Sequence, residues 1–460
     1  MKRAIVVVLA SVVCVLLILV LVKKFEGKDP VVDIALPSLF LKKDYTMTLG
    51  VSDEGTGLRS LHVSLMKQGN EVKLLEKKYL PISILDIFNT TGILEEQFSI
   101  PVESWRYGMS DGEAVIRILA TDQSWRGWNK GNQTYIEKKV IIDTKPPKVK
   151  VLTRRHNVEK GGSGLVIYKV FEPDVKTGVK VGDHVFDGQS GMFSDPDIHC
   201  AFIALSHKQG PGTDIAVIAE DVAGNTTRKG FYHYIRDKNF KKDTLNISQG
   251  FLDRKITDFE IGDQVVQARH PDNPLLDKFI HINSRLRQEN VETILGYGKN
   301  SEAEMMWSGR FKRLPGSARR ASFADHRTYR HKGKEIGKAT HLGIDLASTS
   351  EAKIPAANGG KIVMAEFVGI FGQSVIIDHG FGLMSLYSHL SDIHVSEGDT
   401  VSTGDIIGIT GMTGLAGGDH LHFSMMIRDV FVNPVEWWDA SWIKNNITSK
   451  IDFVRESIKQ

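Results

Sequence analysis

The chain has 460 residues, of which 41% are hydrophobic and 25% are charged, and its formal net charge is +3. These values are typical of a folded protein of about three domains, and they argue against disordered, collagen-like and multi-span membrane proteins. The near-balance of charge gives no reason to expect nucleic acid as a partner. Of the two cysteines, Cys14 lies in an apolar run, so we expect no structural disulfide with Cys200.

An uncharged apolar run opens the chain and predicts a membrane anchor. Residues 4–22 carry no charge and have a pair of basic residues on each side. At ~1.5 Å per residue this run spans about 30 Å, the thickness of the hydrocarbon layer. It has no polar face, which disfavours a buried core helix, and no small-residue cleavage site follows it, which disfavours a cleaved signal peptide. We therefore predict an uncleaved single-pass anchor in residues 1–27, whose orientation the flanking charges leave undecided.

The next segment, to about residue 236, has the sequence pattern of two β-sandwiches. Short alternating apolar runs are separated by turns rich in Gly, Asp and Asn. A Gly-Asn pair follows Asp122 in the first half and Asp221 in the second, and a proline pair between the halves is typical of a stiff linker. We predict immunoglobulin-like sandwiches at 28–144 and 145–236, which resemble modules common in bacterial surface proteins. A spacer role is favoured, and binding of a ligand or protein partner is the alternative.

The pattern becomes partly helical in residues 237–318, which we interpret as a connector. Asn273 followed by Pro274 is typical of a helix start, and apolar residues then recur at helical spacing. Basic side chains are frequent in 310–330, where a solvated surface is favoured over a site for anionic polymers or lipid headgroups.

Three short segments in the last third of the chain place histidines and one aspartate where they can meet. In the first segment, HLGID, the side chains of His341 and Asp345 face one point. In the second, HLH, His420 and His422 share one face of a strand. The third segment lies between these two in the chain and contains His389 after a tyrosine and a serine. Two imidazoles and one carboxylate with an open position are a common design of a catalytic zinc site. Bound zinc lowers the pKa of water to ~7, and the two remaining histidines can act as acid, base or oxyanion stabiliser.

Residues 341–434 resemble the lysostaphin-like, or LytM-type, family of zinc metallopeptidases that cut peptidoglycan peptides. The resemblance rests on five stretches in family order: HLGIDLAS, IPAANGGKIVMAEF, QSVIIDHGFGLMSLYSHL, VSEGDTVSTGDIIGITGMTG and GGDHLHF. It implies a mostly antiparallel β domain with the site in a groove. It also implies one zinc ion held by His341, Asp345 and His422, with a catalytic pair beside the metal-bound water formed by His389 and His420.

The whole sequence predicts a mainly β protein with a transmembrane helix, two sandwiches, a connector, a peptidase domain at 319–445 and a tail at 446–460. We expect a membrane-anchored zinc metalloendopeptidase that hydrolyses peptide bonds in peptidoglycan stem peptides or crosslinks through a zinc-activated water. Such a substrate places the N-terminus in the bacterial cytoplasm and the bulk of the chain on the periplasmic or extracytoplasmic side of the inner membrane. The alternative is a non-enzymatic regulator of cell-wall hydrolases with a masked site, and residues 300–340 are long enough to cover the metal.

Overall fold

The computed structural model describes residues 2–81 and 93–459 of the chain. Met1, Gln460 and residues 82–92 of the expected first sandwich lie outside the described residues. The chain forms two compact units, one made of Met1–Pro147 with Glu220–Thr226 and the other of Lys148–Ala219 with Thr227–Gln460. Strands dominate both, so the fold is mainly β as predicted.

The chain begins with helix α1 (Lys2–Lys24), whose apolar side chains are exposed on all sides. Among the described residues, one helix is long and apolar enough to cross a membrane, and it lies within α1 at Arg3–Lys24. Apolar side chains exposed on every face are costly in water and favourable in lipid. The helix therefore suggests a membrane anchor.

The first unit contains a two-sheet sandwich, which we call the first sandwich. Its elements are β1 (Val31–Ala35), β2 (Phe40–Leu41), β3 (Thr46–Ser52), β4 (Leu58–Lys67), β5 (Asn70–Lys78), β6 (Glu95–Pro101), β7 (Gly112–Asp122), α2 (Arg126–Asn129) and β8 (Gln133–Ile142). One sheet has the order β1-β3-β6 and the other β2-β8-β7-β4-β5. Alternate residues face inward along each strand, so Met47 and Leu49 of β3 share a buried core with Ile116 and Ile118 of β7. The immunoglobulin-like type of this sandwich stays a prediction.

The second unit starts with another group of strands, which we call the second sandwich. They are β9 (Val149–Val151), β10 (His156–Glu159), β11 (Ser163–Val170), β12 (Lys176–Val181), β13 (His184–Asp187), β14 (Ile198–Ala204), β15 (Ile215–Glu220), β16 (Thr226–Gly230) and β17 (His233–Arg236). Its main sheets have the orders β14-β11-β9 and β13-β12-β15-β16, and β10 pairs with β17 in parallel.

A partly helical segment follows, as predicted, and one long helical run within it approaches the C-terminal domain. The elements are β18 (Lys242–Asn246), α3 (Gln249–Lys255), α4 (Pro274–His281), a π-turn at Ile282–Leu286, α5 (Arg287–Gly296) and a 3-10 turn at Tyr297–Lys299. The Asn273 side chain accepts a hydrogen bond from the Leu276 amide and so caps α4, as the Asn-Pro pair predicts. Helical backbone continues through the π-turn, which joins α4 and α5 without a break.

The C-terminal domain is built on a ten-stranded sheet. The strands of this part are β19 (Ala318–Ala321), β20 (His326–His331), β21 (Lys334–Thr340), β22 (Ile344–Ala347), β23 (Lys353–Pro355), β24 (Gly360–Val368), β25 (Gly372–Asp378), β26 (Leu383–Ile393), β27 (Thr400–Val401), β28 (Ile406–Thr410), β29 (Leu421–Ile427) and β30 (Val430–Val432). The main path of the sheet is β19-β22-β29-β26-β25-β24-β27, with antiparallel pairing, and β18, β20 and β21 form a separate sheet. Three helices end the chain: α6 (Pro434–Trp438), α7 (Ala440–Ile443) and α8 (Ser449–Lys459).

The second sandwich and the C-terminal domain share one continuous hydrophobic core. The fully buried ring of Trp437 in α6 lies 6.1 Å from the ring of Phe202 in β14, measured between centroids. Polar contacts join the same parts, because Oε2 of the Glu436 side chain accepts hydrogen bonds from the Ser163 amide at 2.8 Å and the Ser163 hydroxyl at 2.9 Å. In addition, the buried Lys450 ammonium donates to the Leu165 carbonyl at 2.9 Å. The second sandwich is therefore packed into the fold of the C-terminal domain.

Candidate metal centre

Three side chains meet where strands β22 and β29 pair: His341, Asp345 and His422. Asp345 on β22 lies directly opposite His422 on β29, and His341 comes from the loop just before β22. His341 Nε2 is 2.8 Å from Asp345 Oδ1 and 3.0 Å from His422 Nδ1, and the last two atoms are 2.9 Å apart. The spacing of HLGID thus brings the two side chains together as predicted, although only Asp345 lies on a strand.

In each of these three side chains, the polar atom that faces away from the cluster contacts a neighbouring group. These contacts orient the other polar atom of each side chain toward the cluster. His341 Nδ1 donates to the Ser322 carbonyl at 3.0 Å, so Nε2 carries the lone pair in the neutral ring. His422 Nε2 contacts the Ser424 hydroxyl at 3.1 Å, and Asp345 Oδ2 accepts from Arg327 Nη2 at 3.1 Å. Metal ligands are typically oriented by such second partners.

The donor set fits a divalent metal ion. Two imidazole nitrogens and one carboxylate oxygen are ligands that zinc prefers, and zinc bonds of ~2.0–2.1 Å in a tetrahedron place ligand atoms about 3.3 Å apart. The three atoms here lie within 3.0 Å of one another, close to that separation. A cation among them would also relieve the repulsion between convergent lone pairs.

Protonation in the cluster matches what a metal site needs. Burial opposes ionisation of Asp345, but the imidazole rings of His341, His420 and His422 around it favour the ionised form and hold its carboxyl pKa well below the usual value. Burial lowers the pKa of His422 to about 4. An ionised carboxylate and a neutral imidazole are the forms that bind metal.

The other two predicted histidines, His389 and His420, lie beside this cluster. Their ring centroids are 4.9 Å apart, and His420 Nε2 is 3.6 Å from Asp345 Oδ1. His389 Nδ1 donates to the Thr413 carbonyl at 2.9 Å and His420 Nδ1 to the Gly418 carbonyl at 2.7 Å, which leaves Nε2 of each neutral ring as an acceptor.

The backbone and the surroundings distinguish the two rings. His389 has a φ of +66° where the β25–β26 register shifts, and a left-handed histidine inside a strand is a strained conformation typical of functional sites. Burial holds the pKa of His389 well below its usual value. Burial also acts to lower the pKa of His420, but the nearby Asp345 carboxylate and the hydrogen bond to the Gly418 carbonyl together outweigh burial and raise it. The pair therefore offers one ring that stays neutral and one that holds a proton more readily.

All five side chains line one cavity of about 120 Å³. Two arginines that the sequence did not single out as site residues, Arg287 and Arg327, line it as well. Arg327 belongs to the basic segment interpreted as a solvated surface, yet its side chain is 18% exposed and pairs with Asp345. Arg287 directly follows Leu286 in the segment predicted to be an amphipathic helix. An arginine beside the apolar face of such a helix is the sequence signal that could have identified it as a site residue.

Comparison with known proteins agrees with this geometry. Residues 339–434 match Peptidase family M23. The chain is 39% identical over 95 residues to the DD-carboxypeptidase/endopeptidase Mpg of Neisseria meningitidis, covering 21% of this chain and 22% of that protein. It is 37% identical over 98 residues to the peptidoglycan DD-endopeptidase ShyA of Vibrio cholerae, covering 21% of this chain and 23% of that protein.

A relative that is named as an activator, not as a peptidase, also matches. The murein hydrolase activator EnvC of Escherichia coli is 28% identical over 111 residues, covering 24% of this chain and 26% of that protein. The chain thus spans about a quarter or less of the length of these relatives. Residues 339–434 thus form a domain of Peptidase family M23, the LytM-type peptidases, and we call the C-terminal domain that contains them the peptidase domain.

Proposed function

We propose that this protein is a membrane-anchored zinc metalloendopeptidase that hydrolyses peptide bonds in peptidoglycan stem peptides or crosslinks. The observation that carries the proposal is the meeting of three lone-pair atoms, from His341, Asp345 and His422, within 3.0 Å. The names of the Mpg and ShyA relatives support the reaction and the substrate.

The roles of the side chains follow from their surroundings. His341, Asp345 and His422 would hold one zinc ion, which when bound polarises a carbonyl and lowers the pKa of water. His389, kept neutral by burial, would accept the proton of the attacking water at Nε2. His420, whose pKa is raised, would donate a proton or a hydrogen bond to the carbonyl oxygen as charge develops there.

The anchor and the substrate together suggest the location. A helix at Arg3–Lys24 would cross the bacterial cytoplasmic membrane, with its N-terminus in the cytoplasm and the folded units on the side of the wall. An added protease should then digest the folded units of spheroplasts without lysis, whereas protection until lysis would contradict this orientation.

Cleavage of purified peptidoglycan by the full chain in detergent micelles tests the proposed reaction. We expect fragments released by peptide-bond hydrolysis, identified by mass spectrometry, and loss of cleavage when a chelator removes the metal. His422→Ala should lose both zinc and cleavage, whereas His389→Ala and His420→Ala should keep zinc and lose rate by about 10²–10⁴-fold.

A matched control is His394→Ala, because His394 is exposed and contacts Asp392 on the surface, outside the cavity. This variant should cleave at the wild-type rate. Protein whose zinc binding depends on His422 but that cleaves no peptidoglycan would contradict the proposal.

A second candidate function is a non-enzymatic activator of cell-wall hydrolases. It is supported by the EnvC match and by the small volume of the cavity, about 120 Å³. In that case the zinc-loaded chain would release no fragments by itself but would speed cleavage by a separate wall hydrolase, with no loss in the His389→Ala variant.

A further inference from the structure

Arg287 is brought to the catalytic cavity by the helical run of α4, the π-turn and α5. Phe279, Ile282 and Leu286 of this run are buried in the core of the second unit. One turn later, Asn290 Oδ1 accepts a hydrogen bond from the Ile370 amide at 2.8 Å, and Ile370 itself lines the cavity. Packing on one side and a hydrogen bond on the other therefore hold the Arg287 side chain at the cavity wall.

Among the described residues, the charge of Arg287 has no carboxylate partner within 4 Å. Its Nε and Nη2 both donate to a single oxygen, Asn283 Oδ1, at 3.3 and 2.9 Å. In the part of the chain that the structure describes, no carboxylate oxygen lies within 4 Å of this guanidinium, whereas Arg285 pairs with Glu289 at 2.9 Å and Arg327 pairs with Asp345 at 3.1 Å. Burial lowers the pKa of Arg287, but a guanidinium stays protonated at neutral pH. The folded protein therefore bears the desolvation free energy of a buried positive charge at this position.

The cavity suits a small anion. Arg327 is neutralised by Asp345, so Arg287 contributes an unbalanced positive charge to the lining. The volume of about 120 Å³ is well below the roughly 300–1,000 Å³ of pockets that enclose whole drug-sized ligands. Only a small group of a longer substrate can enter. The planar fork of an arginine is matched to a carboxylate, which it binds through two parallel hydrogen bonds.

We propose that Arg287 binds a carboxylate of the peptide substrate next to the scissile bond and so selects acidic wall peptides. This inference rests on the proposed peptidase function and adds a specificity-determining residue to it. Two carboxylates share this chemistry: the C-terminal carboxylate of a stem peptide and the free carboxylate of an acidic residue within it.

Three synthetic stem pentapeptides separate these sources. The first keeps both carboxylates, the second carries a C-terminal carboxamide, and the third has the carboxylate of its internal glutamate amidated. Binding is measured by calorimetry on the zinc-loaded full chain in detergent micelles, in a His389→Ala background that prevents turnover. Cleavage rates are measured on the chain with His389 intact.

We expect replacement of Arg287 to remove the difference in affinity between the peptides. With Arg287 present, one of the two amidated peptides should bind about 10- to 100-fold more weakly than the first, and Arg287→Gln should abolish that difference. Arg287→Lys should restore only part of it, because an ammonium lacks the fork. The control Arg285→Gln, an exposed arginine two residues away, should preserve the full difference.

Two failures are distinguishable. If Arg287→Gln weakens all three peptides equally, or none, Arg287 does not read a carboxylate and the inference is overturned, while cleavage by the wild type would still uphold the peptidase. If nothing is cleaved but the Arg287-dependent discrimination persists, the peptidase proposal fails and carboxylate recognition stands.

Discussion

The two sandwiches share a local motif but bury their cores in different ways. In the first, Asp122 Oδ1 accepts from the Ser124 and Asn132 amides while Asn132 Nδ2 donates to Oδ2. At the corresponding turn of the second, Asp221 Oδ1 accepts from the Ala223 and Asn225 amides while Asn225 Nδ2 donates to Oδ2. The same hydrogen bonds close both turns.

The hydrophobic cores of the two sandwiches differ, although their turns are alike. The first sandwich encloses a core of its own residues, whereas the core of the second continues through Phe202 and Trp437 into the peptidase domain. A turn motif is local, but the partner of a sheet face depends on long-range packing. The second sandwich therefore contributes to the stability of the peptidase domain, which a role as a spacer does not require.

Truncation of a core residue in each unit should separate the two regions most strongly. Trp437→Ala should destabilise the second sandwich and the peptidase domain together by about 3–5 kcal/mol, because a fully buried ring is lost. The matched variant Ile118→Ala should destabilise the first sandwich by about 2–5 kcal/mol. Hydrogen-exchange mass spectrometry of each region measures both effects. Loss of protection in the peptidase domain but not in the second sandwich of Trp437→Ala would break the comparison.

Removal of the metal should act on one unit only. At a zinc concentration about 1,000 times its dissociation constant, binding stabilises the folded domain by about 4.1 kcal/mol. A chelator should lower exchange protection in the peptidase domain and the second sandwich and leave the first sandwich unchanged. His341→Ala should show no further loss on chelation, because its site is already incomplete. An equal effect of the chelator on the first sandwich would contradict this prediction.

The pH dependence of stability should reveal the buried contacts between the second sandwich and the peptidase domain. Burial raises the pKa of Glu436 to about 8, so between about pH 4.5 and 8 the folded state holds one more proton than the unfolded state. Stability therefore falls as the pH rises through this window, by about 2 kcal/mol from pH 6 to pH 8. Burial lowers the pKa of Lys450 to about 8, so from pH 8 to about 10.5 the unfolded state holds the extra proton and stability rises.

Denaturant unfolding from pH 6 to pH 10 should thus show a minimum near pH 8 for the second unit. Glu436→Gln should remove the falling limb and Lys450→Met the rising limb, with the first sandwich insensitive to both variants. A minimum that persists in the double variant would assign it to other groups.

Much of the site could be predicted because its residues are close in sequence. HLGID and HLH each place two side chains within four residues of one another, so local spacing keeps them close although His341 and His420 lie just before the strands. Pairing of β22 with β29 then joins Asp345 to His422, two side chains that the resemblance placed at one metal ion. The roles of the five residues as zinc ligands and catalytic pair stay predictions until metal and cleavage are measured.

The apolar anchor run, the Asn-Pro helix start and the alternating strands also follow from the sequence alone, because each depends on neighbours within a few residues. The position of Arg287 in the cavity, the pairing of Arg327 with Asp345 and the core shared through Trp437 were decided by the tertiary structure. Each joins residues far apart in the chain, and their contact depends on how whole elements pack, which periodicity along a single sequence does not encode.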